Sequence, residues 1–430
     1  MSRNLDRRRF LGRSAAATTG LAIGANLTLP AVHAVGSDAI RVGLVGCGGR
    51  GTGAAEQIMR AGKDVRLVAL GDLFRERLES SFQALGRAGG ENFAVTKERC
   101  FVGIDAYKQV IDSGVDAVLL ATPPHFRPAH VEAAVAAGKH VFVEKPVGVD
   151  APGTLRVREA CRVAARKGLS VVSGLMLHYD ESMQRTIEQV HGGAIGRIVA
   201  LECNYNVGGL WVIHRQPGWS DMEWQLRNWY YFTWLSGDHI VEQHVHLLDL
   251  VAWAMKGEYP VRAVGSGGRQ ARTDRVYGNI YDHHAVRYEF AGGPRCYSSC
   301  RQQDGTANEI SCFAFGTHGT ADLLKRSIAG ERPWQYETAA GKKVRNIWGG
   351  HQEEQIAFVE SVRSGKPIDN GEYMCQSTLM AIMGRMATYT GQEVTWEQVT
   401  ASKEDFTPTR YEFAPHAVAP VAVPGVTKLS

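Results

Sequence analysis

Apolar and polar residues follow two different patterns along the chain, and the first pattern runs from residue 40 to about residue 145. Here short apolar runs, which predict strands buried on both faces, are separated by amphipathic segments of helical period. The predicted strands cover residues 40–45, 65–70, 101–102, 116–121 and 140–143. Strands that alternate with helices in this way predict a doubly wound, parallel α/β sheet of the Rossmann type.

A second pattern begins after residue 150, where helices are predicted at 153–167 and 182–191 around a strand at 170–176. Long strands with alternating apolar positions follow, at residues 197–206, 261–265, 284–290, 295–302 and 309–315. They predict a C-terminal α/β domain with a large, open, mostly antiparallel sheet that is covered on one face. We expect helices at 350–364 and 373–390 to pack back on the rest, and the four prolines after Phe406 indicate an extended arm.

The first 34 residues have the composition of an export signal. Arg7-Arg8-Arg9-Phe10-Leu11 precedes an Ala/Thr/Gly-rich segment, and Ala31-Val32-His33-Ala34 offers small residues for cleavage after Ala34. This order predicts a twin-arginine signal and therefore a periplasmic or secreted protein that is exported folded. We divide the chain into the signal (1–34), a Rossmann domain (35–150), a substrate and oligomerisation domain (151–405) and the tail (406–430).

Charge and cysteine content narrow the possible function classes. The formal charge of +4 includes five arginines and one aspartate of the signal, so the mature chain is neutral and gives no indication of nucleic-acid binding. No apolar run reaches the ~18 residues of a permanent membrane span. The eight cysteines are scattered without a CxxC pair, which predicts mostly free, buried thiols and no zinc site.

The first predicted strand ends in a glycine-rich turn, Gly46-Cys47-Gly48-Gly49-Arg50-Gly51, that leads directly into a helix. In a dinucleotide-binding βαβ unit, Gly46 provides a tight turn, Gly48 lets the backbone approach the pyrophosphate, and Gly51 allows close helix packing. Asp72 ends the second strand, where a carboxylate binds the ribose hydroxyls. We predict NAD rather than NADP, because this carboxylate would repel a 2′-phosphate, although Arg75 and Arg77 stand nearby.

Two further strand ends carry residues that would face the same crevice. Thr122-Pro123-Pro124-His125 follows the strand at 116–121, and Glu144-Lys145-Pro146 follows the strand at 140–143. Ligands of doubly wound sheets bind at the carboxyl ends of the strands, so the candidate cofactor contacts here are Thr122, Pro123, His125, Glu144 and Lys145. Lys145 is also a candidate donor of a proton or a hydrogen bond to a substrate oxygen.

The segment Gly237–Asp249 reads GDHIVEQHVHLLD. If it is helical, Glu242 and His246 lie one turn apart on one face. A carboxylate in that position can orient the imidazole and raise its basicity, which suits a base that takes a hydroxyl proton. Two alternatives remain open: a buried polar pair that satisfies itself, and a metal site formed by His239, Glu242, His244 and His246.

Aromatic residues concentrate between Trp211 and Trp234, a segment that holds five of the nine tryptophans. Aromatic faces stack on sugar rings, while arginine and asparagine side chains hydrogen-bond hydroxyls. The candidate substrate contacts are therefore Arg227, Asn228 and Trp229, together with Tyr179 after the strand at 170–176. An aromatic cluster packed between domains or subunits explains the segment equally well.

These motifs together resemble those of the Gfo/Idh/MocA oxidoreductases: the glycine turn, Thr122-Pro123, Glu144-Lys145-Pro146 and the segment from Glu242 to Asp249. The resemblance extends from Ile40 to about Trp396. It implies a Rossmann domain joined to an α/β domain whose open sheet often forms an oligomer interface, here in a homodimer or tetramer. It also implies a sugar, polyol or cyclitol substrate and places Lys145 next to the nicotinamide.

The family's helix usually reads Asp-x-Gly-x-His-x-x-Asp, and its aspartate and histidine work with the lysine. In this chain Lys145 and His246 are in place, Glu242 replaces the aspartate and His244 replaces the glycine. The resemblance therefore implies that Lys145 polarises the substrate oxygen, that His246 exchanges the hydroxyl proton and that Glu242 orients His246. No resident metal is expected.

Three functions remain in view. The leading expectation is hydride transfer between a carbohydrate and a tightly bound NAD, because the periplasm has no soluble NAD pool and an exported enzyme must carry and regenerate its cofactor. The resemblance to exported glucose–fructose oxidoreductases implies ping-pong transfer between two sugars. The alternative is a redox-neutral glycoside hydrolase or lyase that oxidises a sugar carbon transiently, and the third is a non-catalytic sugar-binding protein.

Overall fold

The structure, a computed structural model, describes residues 39–342, 344 and 346–429, so the predicted signal lies outside the described residues. Strands and helices alternate up to residue 173, as the first pattern predicts. The strands are β1 (Ile40–Val45), β2 (Val65–Asp72), β3 (Cys100–Val102), β4 (Ala117–Leu120), β5 (His140–Val143) and β6 (Val171–Ser173). The helices are α1 (Gly49–Arg60), α2 (Arg75–Ala88), α3 (Ala106–Asp112), α4 (Arg127–Ala136) and α5 (Ala151–Arg166).

These six strands form one parallel sheet in the order β3-β2-β1-β4-β5-β6. All of β4 and most of β1 are buried, because helices cover both faces of a doubly wound sheet. The strand order reverses between β1 and β4, and their carboxyl ends border the crevice in which such sheets bind ligands. The glycine turn, Asp72 and Thr122 all lie at this edge, which confirms the predicted Rossmann architecture.

The boundary predicted at residue 150 is wrong. Helix α5 and strand β6 belong to the first domain, since β6 pairs with β5 in parallel from Val141–Val171 to Val143–Ser173. Strand β6 is only three residues long, so its apolar run is too short to show in the sequence that it continues the first sheet. The other edge of β6 hydrogen-bonds to a segment that is distant along the chain, since the Val171 N–H donates to the carbonyl of Ile368 at 2.7 Å.

The second sheet has nine strands and fills most of the remaining chain. Its strands are β7 (Ile198–Val207), β8 (Arg262–Gly268), β9 (His283–Glu289), β10 (Arg295–Gln302), β11 (Glu309–Gly316), β12 (Gly319–Asp322), β13 (Ser327–Gly330), β14 (Trp334–Gln335) and β15 (Val394–Thr395). The accompanying helices are α6 (Glu181–His191), α7 (Asp221–Arg227), α8 (Thr233–Ser236), α9 (His239–Glu242), α10 (Val245–Ala254), α11 (His351–Ser364), α12 (Gly371–Thr390) and α13 (Trp396–Ala401).

The order in this sheet is β14-β13-β12-β11-β7-β10-β9-β8-β15, and only the central pair of β7 and β10 runs parallel. Alternate residues of β10 are buried, beginning with Cys296, whereas Tyr297 on the opposite face is 51% exposed. Leucines of α10 and α12 belong to the same core cluster as Cys296. The large, mostly antiparallel sheet covered on one face is therefore confirmed.

Helix α11 completes the Rossmann domain although it lies far along the chain. Phe358, Val359 and Val362 are buried in one hydrophobic cluster with Ile58 of α1 and Phe142 of β5. The predicted return of the late helices onto the rest of the molecule is thus confirmed. Among the described residues, no helix has the length and apolar character needed to cross a membrane.

Candidate active site

The glycine turn has the geometry that the sequence predicts. Gly46 has φ +97°, and a Cβ there would lie 2.7 Å from the backbone of Thr122. A Cβ on Gly51 would lie 1.8 Å from the carbonyl oxygen of Gly46, so only glycine lets α1 pack against the turn. At Gly48 and Gly49, in contrast, a Cβ would meet nothing within 4 Å. The N-terminus of α1 therefore opens onto free space, which fits the pyrophosphate of a dinucleotide.

Asp72 stands beside this turn at the end of β2. Its carboxylate accepts hydrogen bonds from the backbone N–H groups of Cys47, at 2.7 Å, and Phe74, at 2.8 Å. Burial raises the pKa of Asp72, and the charge of Arg77 opposes this effect. Asp72, the glycine turn, Thr122 and Pro123 all line one cavity of about 620 Å³, which we call the dinucleotide cavity. The carboxylate is in place to hold ribose hydroxyls.

His125, also predicted to contact the cofactor, does not line the dinucleotide cavity. Its Nε2 atom lies 2.7 Å from the hydroxyl of Tyr411, and its ring packs edge-on against Trp234. Burial lowers the pKa of His125 to about 4, so the imidazole is neutral at physiological pH. The prediction for His125 is corrected to a contact with the tail, which sequence spacing does not reveal because residue 411 is distant along the chain.

The end of β5 is tied to the glycine turn by an ion pair. Arg50 Nε lies 2.9 Å from a carboxylate oxygen of Glu144, whose side chain is almost fully buried. Arg127, at the start of α4, donates to the carbonyls of Thr122 and Pro146 and is also buried. Burial lowers the pKa of Arg127 to about 10. These two arginines hold the strand ends in register on either side of Lys145.

Lys145 binds Glu242 across the crevice. Its ammonium lies 3.1 Å from a carboxylate oxygen of Glu242 and also donates to the carbonyl of that residue, and both side chains are 14% exposed. Helix α9 ends at Glu242 and α10 begins at Val245, so residues 237–249 do not form the one continuous helix that would place Glu242 and His246 on the same face. Because of this break, Glu242 pairs with Lys145 instead of orienting His246.

His246 lies in the first turn of α10 and faces the same region. Its Nδ1 atom is buried and has no hydrogen-bond partner among the residues that the structure describes. Burial, assisted by the positive charges of Lys145 and His351, holds the pKa of His246 well below its usual range. The ring of His246 lies 5.5 Å from the ring of Trp348. A neutral imidazole beside an ammonium group can accept a proton from a hydroxyl placed between them.

The other histidines of this segment bind elsewhere, so the alternative metal site is wrong. His244 is buried with Nε2 2.7 Å from Ser298 Oγ and 3.7 Å from Cys203 Sγ. His239 Nδ1 lies 2.8 Å from Asp238, which also accepts from Tyr389 at 2.6 Å. Asp238, His239 and His284 do lie within 4.8 Å of one another. Within this buried group the backbone N–H and the Nδ1 atom of His239 bond to Asp238, while the Nε2 atoms of His239 and His284 have no hydrogen-bond partner among the described residues.

The predicted substrate contacts are distributed differently from expectation. Asn228 is fully buried, with its amide oxygen accepting from Ile213 N at 2.9 Å and its amide nitrogen donating to Val276 O at 2.7 Å. Its role is therefore structural. Tyr179 donates to Asn370 at 2.8 Å, and burial raises its pKa.

Arg227 and Trp229 lie beside the dinucleotide cavity. The guanidinium of Arg227 stacks on Phe74 at 3.9 Å and pairs with Glu76, and Trp229 lines the dinucleotide cavity. The aromatic segment thus borders the cofactor cleft. Its tryptophans were expected near a sugar because stacking surfaces serve sugars and adenine rings alike, and sequence cannot tell the two apart.

The comparison with protein families decides the classification. The sequence matches the family model "Oxidoreductase family, NAD-binding Rossmann fold" of the Gfo/Idh/MocA group over residues 40–174, and "GFO/IDH/MocA C-terminal domain" over residues 183–322. The chain belongs to the Gfo/Idh/MocA family. It is accordingly an NAD-dependent oxidoreductase, and the matched NAD-binding region includes the glycine turn and Asp72.

Relatives in this family are similar in sequence and in fold. Inositol 2-dehydrogenase 4 of Saccharopolyspora erythraea is 29% identical over 312 residues, which cover 72% of this chain and 78% of that relative. Scyllo-inositol dehydrogenase of Lactobacillus casei, solved with NAD(H) and scyllo-inositol, has a TM-score of 0.62 at 19% identity and covers 83% of this chain and 99% of its own. Aldose–aldose oxidoreductase of Caulobacter crescentus, complexed with glycerol, has a TM-score of 0.63 at 18% identity, over 83% of this chain and 99% of its own.

This member of the Gfo/Idh/MocA family brings further residues to the site that its motifs do not reveal. Trp348 stacks near Tyr205, at 5.6 Å between ring centroids, and lies beside His246. His351 Nδ1 is 3.4 Å from Glu354, a fully buried carboxyl whose pKa burial and the charge of Glu144 raise well above the usual range. No spacing signal marks these residues, since they lie about 100 residues after His246, Trp348 in an irregular segment and His351 and Glu354 in the first turn of α11.

Proposed function

We propose that this protein oxidises a secondary hydroxyl of a cyclitol, sugar or polyol, with NAD as the hydride acceptor. The observation that carries the proposal is the meeting of Lys145, Glu242 and His246 at the carboxyl end of β5, next to the glycine turn. The family membership supports the reaction type, and the inositol dehydrogenases among its relatives support the substrate class.

The residues present fit the cofactor. The open space at Gly48 and Gly49 would take the pyrophosphate on the N-terminus of α1, and Asp72 would hold the adenosine ribose. Bound NAD supplies a carbon that accepts or returns a hydride. The protein's own contribution is to orient the substrate and to move its hydroxyl proton.

Lys145 orients the substrate oxygen, and His246 moves the hydroxyl proton. The Lys145 ammonium, which Glu242 fixes in position, donates a hydrogen bond to the substrate oxygen and stabilises negative charge on it. His246 is neutral at physiological pH because of its depressed pKa, so an imidazole nitrogen takes the hydroxyl proton as the carbon gives up its hydrogen. In the reverse direction the same nitrogen returns the proton.

We further propose that the protein is a periplasmic or secreted member of the twin-arginine type that regenerates its NAD in place, and that it forms a homo-oligomer. The arginine motif at residues 7–9 and the small residues before position 34 support the export route. The exposed face of the nine-stranded sheet, which carries Tyr297, supports self-association. Fractionation of the native host and mass measurement of the mature protein test these two points.

The first experiment measures the cofactor and then the substrate. The mature protein is purified without added nucleotide and denatured, and the released NAD and NADP are quantified by mass spectrometry. The holoenzyme is then incubated with myo-inositol, scyllo-inositol and a panel of aldoses, with and without a second sugar, and nicotinamide absorbance at 340 nm and products are followed. Oxidation of a member of the panel by the parent, and its loss in Lys145→Met with NAD still bound, supports the proposal. An absence of turnover in the parent despite bound NAD favours the sugar-binding alternative.

A redox-neutral hydrolase or lyase is the second candidate, and one observation favours it. His351 and Glu354 add another imidazole and a carboxyl held protonated by burial, more proton-transfer groups than one oxidation needs. Incubation with aryl glycosides in the absence of an acceptor separates the two functions. Net release of the aryl alcohol, with no accumulated NADH, would replace the dehydrogenase assignment.

A further inference from the structure

The C-terminal tail packs behind side chains that line the dinucleotide cavity. The Tyr411 hydroxyl hydrogen-bonds to His125, and its ring lies 5.6 Å from that of Phe126. Two residues later Phe413 stacks on Phe74, with 6.2 Å between centroids and 12° between ring planes. Phe74 and Phe126 both line the cavity. The tail therefore lies directly behind the Rossmann wall of the cofactor cleft.

The same stretch of tail also binds the opposite wall. That wall is formed by four side chains of the aromatic segment: Trp211, Ile213, Leu226 and Trp229. Next to them, the Met222 N–H donates to the carbonyl of Ala414 at 3.2 Å, and the Gln225 amide donates to the carbonyl of His416 at 2.7 Å. The tail thus bridges the two sides of the cavity within six residues, from 411 to 416.

The two walls also contact each other directly through Arg227. Its guanidinium lies 3.9 Å above the ring of Phe74 and 4.6 Å from that of Trp219, and it pairs with Glu76 on the Rossmann side. Cation–π contacts between partly desolvated groups are among the stronger surface interactions. The aromatic segment is thereby fastened to the Rossmann domain beside Asp72, the residue that marks the adenosine ribose.

Contacts at both ends hold the tail in this path. Before the bridge, the Phe406 N–H donates to Asp150 at 3.1 Å, and Arg385 pairs with Glu404 at 2.6 Å. After the bridge, the Gly425 N–H donates to the carbonyl of Thr390 at 2.8 Å. The tail is therefore held in place on both sides of residues 411–416.

We infer that residues 211–229 and 403–416 form a cover over the adenosine half of the cleft that keeps NAD bound as a prosthetic group. This inference rests on the proposed function. A Rossmann domain alone leaves its dinucleotide exposed on one side, and here the aromatic segment occupies that side. For the dinucleotide to leave, the two walls must part, which breaks the contacts made by Tyr411, Phe413 and Arg227.

The test uses the full-length holoenzyme, a double variant of the tail and a control variant of the tail. Phe413 is 52% exposed, so Phe413→Ala leaves no buried cavity, and Tyr411→Phe removes one hydroxyl. The double variant is compared with the parent and with Val418→Ala, a matched control at a tail position that is 38% exposed. Exchange of bound NAD with isotopically labelled NAD is followed by mass spectrometry. We expect exchange about tenfold faster in the double variant and unchanged in the control.

A deletion of residues 403–430 provides a second measurement, and the thermal unfolding of each protein stripped of NAD shows whether it is folded. Exchange as slow as in the parent in both the double variant and the folded deletion overturns the cover. The cover is also overturned if the double variant, stripped of NAD, unfolds at a far lower temperature than the stripped parent, because faster loss of NAD then reflects general instability.

Failure of the cover and failure of the proposed function are distinguishable. A parent that exchanges NAD within seconds yet oxidises cyclitols refutes the cover and keeps the dehydrogenase. A parent that retains NAD through the tail and oxidises nothing in the panel supports the cover and refutes the dehydrogenase.

Discussion

Alanine substitutions at Gly48 and Gly51 separate the cofactor-binding role of the glycine turn from its packing role. At Gly51 a Cβ would lie 1.8 Å from the carbonyl oxygen of Gly46, and no side-chain rotation relieves a contact with backbone. At Gly48 nothing lies within 4 Å, and the backbone angles of φ −74° and ψ −178° suit alanine. We expect Gly51→Ala to destabilise the fold and Gly48→Ala to leave it intact.

The magnitude at Gly51 follows from the geometry. Separating the Cβ from 1.8 Å to the 3.0 Å minimum that real contacts respect moves α1 from the turn by roughly 1.2 Å. Overpacking of this kind costs up to about 3 kcal/mol, and alanine recovers about 1 kcal/mol of helix propensity relative to glycine. The free energy of unfolding therefore falls by about 2 kcal/mol, and Tm falls by a few degrees.

At Gly48 the loss is in affinity for NAD. A methyl group in the open space keeps the pyrophosphate from the N–H groups of α1, and one hydrogen bond to a charged group contributes about 1.5–3 kcal/mol. Kd for NAD should rise by about 10–150-fold. Thermal unfolding of the stripped proteins and calorimetric titration with NAD measure the two effects. Gly48→Ala with the parent's affinity for NAD, or with the instability of Gly51→Ala, would refute this account of the turn.

Four further predictions concern individual side chains. Lys145→Met should lower kcat by about 10²–10⁴-fold while NAD content is unchanged, and equal losses of turnover and bound NAD would contradict its role at the substrate oxygen. Because the pKa of His246 is depressed, its imidazole stays neutral at acidic pH. The value of kcat/KM should therefore be constant down to at least the ordinary histidine pKa of about 6.5, and should fall only below that pH. A fall in kcat/KM that begins above that pH would show that another group acts as the base. Asp72→Ser should raise Kd for NAD by at least about tenfold and should favour the binding of NADP relative to NAD. The ratio of the two Kd values measures this change. Trp348→Ala should raise KM for the sugar or cyclitol more than it lowers kcat. An unchanged KM would show that Trp348 does not contact the substrate.

The Rossmann half of the molecule was predictable because its signals are local. The apolar run at 40–45, the turn that follows it and the acidic residue at the end of β2 each occupy their own short stretch of chain. Burial on both faces forces such strands to be apolar throughout. Gly51 is required by a contact with the carbonyl of Gly46, five residues before it, and Gly46 by its positive φ and by the backbone at the end of the neighbouring strand β4, so the predicted turn is confirmed at both.

The arrangement around Lys145 depends instead on contacts between distant residues. The segment 237–249 is interrupted between α9 and α10, where Gln243 accepts a hydrogen bond from Gln302 at 2.6 Å and His244 lies 2.7 Å from Ser298, both on β10. Asp238 caps α9 with φ +76°, and four hydrogen bonds to its carboxylate hold it in this conformation. Helical spacing therefore suggested the wrong partner for Glu242. Only tertiary structure pairs it with Lys145.

The placement of α11 in the first core governs the order in which the protein can fold. During synthesis, the strands of the Rossmann sheet are complete once Ser173 has been made, but Phe358 and Val362 are nearly two hundred residues away. Each such buried side chain contributes roughly 1.5–3 kcal/mol, so the sheet without α11 leaves an apolar face of α1 uncovered. The core of the Rossmann domain can therefore be completed only after most of the second domain has been made, although its nucleotide-binding motif is made first.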